Sequence, residues 1–253
     1  MDIATIGGLI LGIGAVAVSF IMEGGHVKSI LQAPAMIIVI VGTFGAATAT
    51  SSVSQILAVP KLLKIAFFGN FLDPANLIEK LCDMAKRSRK DGLLSLENEL
   101  HETNEPFLKK AIELVVDGME GQKIREILEI EMVYISERHK AGATFFQKLG
   151  GFSPTLGIIG TVLGLIHALS NISNSSDMAS SIAGAFIATL WGVALANLVY
   201  LPIGDKLKHR HQEEILYLEL VIEGIISLSM GDNPRLIRTK LLSFLMPGMR
   251  SEG

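Results

Sequence analysis

Four stretches of this chain run nearly free of charged residues: Ile3–Met22, 33–50, 151–169 and 181–203. A bilayer core about 30 Å thick takes ~20 mainly apolar helical residues, so each stretch is predicted to be a membrane-spanning helix. Helices are the only sensible reading, because lipid offers an irregular backbone no hydrogen-bond partner. The second stretch is the weakest, being short and rich in Thr toward its end. The first lacks a basic leader and a small-residue cleavage pattern, and is expected to be a retained span.

Between the second and third stretches lie residues 51–150, which are charged and periodic in the helical sense. "NLIEKLCDMAKRSRK" and "KIREILEIEMVYISERHKAG" carry that pattern most clearly. From Asp205 onward "EEILYLELVIEGIISLSM" reads as an amphipathic helix that "GDNP" stops. The expected fold is therefore an all-α integral membrane protein, with four transmembrane helices and a large helical cytoplasmic domain between the second and third. Residues 1–50 hold the first two spans, 51–150 the cytoplasmic domain, 151–203 the last two spans and 204–253 a cytoplasmic C-terminal tail.

Charge sets the expected orientation. Lys28 is the one Lys or Arg in the first connecting loop, and "NISNSSDMAS" between the last two spans has none. The rest of the 22 Lys and Arg fall in 51–150 and 204–253, which places those segments and both termini in the cytoplasm. The outer loops are too short to form a domain. The chain is expected in the bacterial cytoplasmic (inner) membrane, crossing it several times in contact with lipid.

Composition narrows the class. Of 253 residues 49% are hydrophobic and only 19% charged, against about 25% charged in ordinary soluble domains. A formal net charge of −3 excludes a strongly basic nucleic-acid binder. The single cysteine, Cys82, excludes an intramolecular disulfide framework and reads as a reduced packing residue. There is no P-loop, no metal-ligand spacing and no nucleophile triad in context, so the chain is expected to be no enzyme and to hold no cofactor or metal.

The last two spans are patterned for close packing. Gly184, Ala188, Gly192 and Ala196 recur every four residues, and the third span carries Ser153–Gly157–Thr161 and Gly160–Gly164–Ala168. Such rows put small side chains on one drifting face, which lets a neighbouring helix approach. Thr161 and Thr189 add hydroxyls inside the hydrocarbon region. Each can bond back to a carbonyl one turn earlier, or line a path for water or a hard cation.

An intramembrane Asp, Glu, Lys or Arg is the usual mark of an ion pathway, and the cores of these four spans contain none. Glu23 lies just past the first span and His167 near the outer end of the third, where a packing or interfacial role is favoured over proton relay. If the chain conducts ions, another chain supplies the titrating carboxylate.

These residues resemble a known family. "FSPTLGIIGTVLGLIHAL" and "AGAFIATLWGVALANLVYLPIGDKL" resemble the third and fourth spans of the MotA/PomA flagellar motor stator subunits, within the MotA/TolQ/ExbB superfamily. "AKRSRKDGLLSLENEL" resembles their charged motor-contact segment, and "IEGIISLSMGDNPRLIRTKLLSFL" their C-terminal tail. The likeness covers essentially the whole chain. It implies a ring, of five copies, around two copies of a MotB-like subunit with one span, an essential aspartate and a peptidoglycan-binding domain. It also implies that ion passage drives rotation and that the cytoplasmic part pushes on the rotor protein FliG.

Site residues follow from matching positions. Arg89 and Glu97 resemble the charged pair that contacts FliG, with Lys86, Arg87, Lys90 and Glu99 able to share that load. Pro154 and Pro202 match two prolines that couple the pore to the cytoplasmic domain, although proline at a span end also simply begins or breaks a helix. Thr189 matches the threonine facing the partner's aspartate. Thr161 resembles the sodium-driven type, whereas Ala188 before Thr189 resembles the proton-driven type; the loss of an oxygen ligand at 188 favours protons. The rival reading is an ExbB/TolQ-like subunit energising the outer envelope. Those typically have three spans, against four predicted here.

Overall fold

The computed structural model describes residues 3–69, 72–245 and 248. Every regular element among them is helical. In chain order these are α1 (Ile3–Met22), α2 (Ala33–Ala49), α3 (Val53–Phe68), α4 (Pro74–Asp91), α5 (Glu97–Glu102), α6 (Pro106–Val116), α7 (Gly121–Ser170), α8 (Ser175–Ser229) and α9 (Pro234–Leu242). One-turn 3-10 segments, Val27–Ile30 and Leu93–Leu96, fill two of the connections.

Local chemistry fixes the helix ends. Asp73 caps α4 by accepting from the Asn76 N–H at 3.1 Å, with Pro74 in the first turn, where its missing N–H costs nothing. The helix stops at Gly92, whose φ of 83° is open to a residue without Cβ. Asn174 accepts from Ser176 and Asp177 to start α8, and Asn233 accepts from Arg235 to start α9. Ser52 and Gln55 form a reciprocal capping box at the head of α3.

Helices α1, α7 and α8 are long and apolar enough to cross a membrane. Helix α2 is the shorter apolar one, in keeping with its weaker sequence signal. Two π-helical stretches interrupt the apolar helices, Ile37–Val41 in α2 and Ala196–Tyr200 in α8. The second lies just ahead of Pro202. Proline has no N–H for the carbonyl four residues back, and its ring crowds that carbonyl; a wider turn is one way to absorb both.

The chain divides into two compact units, Met1–Asn70 with His139–Arg210, and Phe71–Arg138 with His211–Gly253. Helix α3 and the residues just after His139 belong to the span-bearing unit, although sequence pattern groups them with the charged middle. Their packing explains it. Ala66 of α3 and Phe145 and Phe146 of α7 share one buried cluster with Ala47, Tyr200 and Ile203. The Phe145 and Phe146 rings meet edge to face at 6.0 Å.

The second unit has an apolar core of its own. Amphipathic α4, α5, α6, α9 and the parts of α7 and α8 in this unit enclose Leu81, Met84, Leu96, Ile112, Leu128 and Ile225, all essentially inaccessible. Burying such side chains stabilises by about 1.5–3 kcal/mol each. Charges line its edges: Glu223 pairs with Arg125 at 2.7 Å and with Lys240, and Lys110 pairs with Glu131. Burial would raise the Glu223 carboxyl, but Lys240 and Arg125 hold it below its ordinary value. The Tyr217 hydroxyl is pushed well above the usual phenol range by burial and by the Glu105 carboxylate, to which it donates at 2.7 Å.

Candidate functional site

The glycine rows of α7 and α8 meet along one seam. A Cβ on Gly157 would lie 2.9 Å from the Ala188 carbonyl oxygen, and one on Gly192 2.7 Å from that of Ser153. A Cβ on Gly164 would lie 3.1 Å from the Ser181 carbonyl, and one on Gly160 2.6 Å from the Ala188 methyl. At these places the obstacle is backbone or a rigid methyl, so the absence of side chains is what sets the spacing. Ser153 fastens one end of the seam, its buried hydroxyl donating to the Gly192 carbonyl at 2.9 Å.

The four-residue row of α8 does not stay on one neighbour. Gly184 faces the amide oxygen of Gln32, ahead of α2, with a virtual Cβ distance of 2.7 Å. Ala188 is buried against Gly160 and shares a small apolar cluster with Ala35 and Ile187. Ala196 is buried where the π stretch begins. Ala188 thus occupies packed space, and its neighbour Thr189 is the residue of the pair that stays partly open.

Thr161 and Thr189 meet directly across the seam. The Thr161 hydroxyl lies 3.1 Å from the Gly157 carbonyl oxygen, 3.0 Å from that of Ala185, and in hydrogen-bond contact with the Thr189 hydroxyl. Sequence reasoning treated back-bonding and path-lining as rivals, whereas Thr161 makes its back-bond and the cross-seam contact together. A hydroxyl has one proton, and carbonyls can only accept. The arrangement satisfying most groups has Thr161 donating to a carbonyl and Thr189 donating to Thr161. The Thr189 oxygen then keeps its lone pairs free. The residue also lines a groove of about 380 Å³ together with Val16, Val193, Ala194, Asn197 and Leu198, whose accessible surface is apolar. Asn197, unremarked in the sequence, is its other polar residue and donates back to the Val193 carbonyl at 2.9 Å.

A second cleft, of about 650 Å³, separates the start of α2 from α7 and α8, with Gln32, Ile38, Gly160, His167 and Ser181 on its walls. Hydrogen bonds to Ser181 and Asn171 hold the His167 ring in place. Ser181 donates to the Asp177 carbonyl at 2.8 Å, so its oxygen accepts from His167 Nδ1 at 2.8 Å. Asn171 Nδ2 lies 3.3 Å from Nε2 and donates to the His167 carbonyl at 2.9 Å. In this network His167 Nδ1 is the donor to Ser181, and Asn171 lies beside Nε2.

Pro154 and Pro202 both sit within continuous helices, not at helix starts or breaks. Pro154 adjoins the Ser153 bond at the seam, and Pro202 adjoins the π stretch.

In the second unit the six charges singled out from the sequence separate into two groups. Arg89, Lys90 and Glu97 are exposed and, among the described residues, make no ion pair. Lys86 pairs with Asp83 at 2.7 Å on the surface. Glu99, by contrast, is 2% exposed, with Arg87 at 2.7 Å and Lys80 at 3.6 Å from its two oxygens. Glu99 is therefore an internal anchor and not a free surface charge. Alternation at spacing two along a helix could have hinted at this, since residues 97 and 99 fall about 200° apart.

Two family models match the chain. Residues 99–220 match the MotA/TolQ/ExbB proton channel family, and residues 6–92 match the N-terminal model of motility protein A. Motility protein A of Borreliella burgdorferi is 36% identical over 100% of this chain and 97% of its own length. The solved structure of C. jejuni MotAB superposes with a TM-score of 0.94 at 32% identity, covering 100% of both chains. The flagellar MotAB stator complex of Bacillus subtilis gives 0.90 at 34% identity, covering 96% of each. Matched along its length by motility protein A and by chains of flagellar stator structures, the chain belongs to the MotA/TolQ/ExbB proton channel family as a flagellar motor stator subunit.

Proposed function

We propose that this subunit forms half of an ion path whose titrating carboxylate comes from a MotB-like, single-span, peptidoglycan-binding partner. The observation carrying this reading is the Thr161–Thr189 hydroxyl pair on a seam of glycines, in spans that contain no charged residue. A path with oxygen ligands but no titrating group is incomplete within one chain. Its relatives were solved as MotAB complexes, which supports the pairing. In this reading Thr189 offers an acceptor to the protonated partner carboxyl, and Thr161 holds Thr189 in that orientation.

The assembly is a ring of copies, five on the family pattern, around two partner chains in the cytoplasmic membrane. All four apolar helices cross the bilayer, both termini lie inside, and the unit containing Arg89 and Glu97 faces the rotor protein FliG. Pro154 and Pro202 transmit the state of the path to that unit. The subunit holds no cofactor beyond the translocated ion, and the ion is the proton: Ala188 is packed away and adds no oxygen beside Thr189. Sodium would need more oxygens to replace its hydration shell.

The test is swimming speed in a stator-less flagellated host expressing this chain with its partner, with external sodium varied at fixed proton-motive force. Speed indifferent to sodium and lost on collapsing the proton gradient supports the reading. Speed scaling with sodium would overturn the ion assignment and make Thr161 a sodium ligand.

A further inference from the structure

The segment carrying Arg89 and Glu97 is held by a charge cluster built around one buried carboxylate. Helix α5 has only six residues, too short to persist alone in water. It follows the turn at Gly92 and is seated by Leu96, which is wholly buried. Its Glu99 points inward and is held by two cations of α4, Arg87 and Lys80, seven positions apart and so on one face. Lys80 also donates to Thr103 at 2.6 Å, and the Thr103 N–H closes the helix on the Glu99 carbonyl at 3.0 Å. Both ends of α5 are thereby fastened to α4.

Helical geometry links this latch to the exposed charges. Arg89 stands two residues from Arg87, and Glu97 two residues from Glu99, about 200° around each helix. Turning Arg87 and Glu99 toward each other turns Arg89 and Glu97 outward, one from each helix, with the Gly92 turn between them.

We infer that the Glu99–Arg87–Lys80 cluster is a positioning device, setting the spacing of a cation and an anion presented to a rotor surface of complementary alternating charge. This rests on the rotor-contact reading above. Glu99 and Arg87 act through Arg89 and Glu97 and do not touch the rotor themselves. A buried carboxylate left without its partners is costly, so the latch has two discrete conditions, closed or lost.

The test uses the full-length chain assembled with its partner. Hydrogen exchange is read at the amides of residues 100–103, alongside stall torque and proton flux. Glu99→Gln and Arg87→Ala are expected to speed exchange there by about tenfold or more and to cut torque with flux unchanged, as expected for local opening. Arg87→Lys, which keeps the pair, retains both protection and torque. Glu97→Lys cuts torque with exchange unchanged, and is restored by an opposite charge change on the rotor. That rotor change does not restore Glu99→Gln. Unchanged exchange in Glu99→Gln, or its rescue by the rotor change, would overturn the inference. Full torque in an Arg89→Glu, Glu97→Lys double variant would sink the rotor-contact reading. Faster exchange in Glu99→Gln would then mark the cluster as a structural pair only, overturning the positioning role too.

Discussion

Ser153 in α7 donates its hydroxyl to the carbonyl of Gly192 in α8 at 2.9 Å, and both groups are out of reach of solvent. That bond can form only because Gly192 and Gly157 bring the two backbones together. A Cβ at Gly192 would lie 2.7 Å from the Ser153 carbonyl oxygen and 3.0 Å from the Gly157 Cα.

Gly192→Val is therefore expected to open the seam, at about 1–3 kcal/mol by the usual cost of overpacking. Thermal unfolding of the purified assembly should fall, and cysteine pairs placed across the seam should cross-link more slowly. Gly151→Ala is the control, since nothing lies within 4 Å of its virtual Cβ. Equal stability of Gly192→Val and wild type would contradict the close approach.

Ser153→Ala leaves the Gly192 carbonyl with the Ala196 N–H, its bond within α8. Loss of one such bond costs about 1 kcal/mol. The expected result is a modest loss of thermal stability with torque retained, smaller than that of Gly192→Val. A collapse of assembly would mean that the serine does more than fasten the seam.

Much of this seam was legible in the sequence, because spacing four maps directly onto one helix face. Gly157, Gly160, Gly164 and Gly192 lie where that periodicity places them. Gly184 does not, because its partner is Gln32, which no pattern within α8 could announce. The π stretches were not legible either: Ile37–Val41 has no composition that marks a wider turn, and only Pro202 gave a local reason for the other. The charged segment was legible as a group, but not in its division. Composition cannot distinguish exposed Glu97 from buried Glu99; their different surroundings come from Arg87 and Lys80 folding back from α4.

Reversing Arg89 and Glu97 together is expected to reduce stall torque severalfold while ion flux and membrane insertion stay normal. Both side chains are exposed, so fold stability should change by less than about 0.5 kcal/mol. Torque and flux measured on the same preparation check this. Failure to insert would mark the pair as structural.

The Glu223 cluster predicts acid sensitivity of the second unit. Its folded carboxyl titrates below the ordinary value, so the ionised form contributes stability above the unfolded-state pKa, near 4.5. That contribution declines as pH falls from about 4.5 through the lower folded value. Melting temperature should drop over that window in wild type, and Glu223→Gln should show a shallower drop from a lower neutral-pH value. An identical acid limb in both proteins would remove Glu223 from the account.

The central claim is that Thr189 presents an oxygen to an ion-carrying carboxyl supplied by another chain. The most direct measurement is proton flux through membranes containing the assembled complex, comparing Thr189→Val and Thr189→Ser with wild type. Valine keeps the shape and removes the oxygen, whereas serine keeps the oxygen. The account predicts normal assembly in both, flux abolished or sharply reduced with valine, and flux largely retained with serine. Wild-type flux and rotation with valine at position 189 would contradict it.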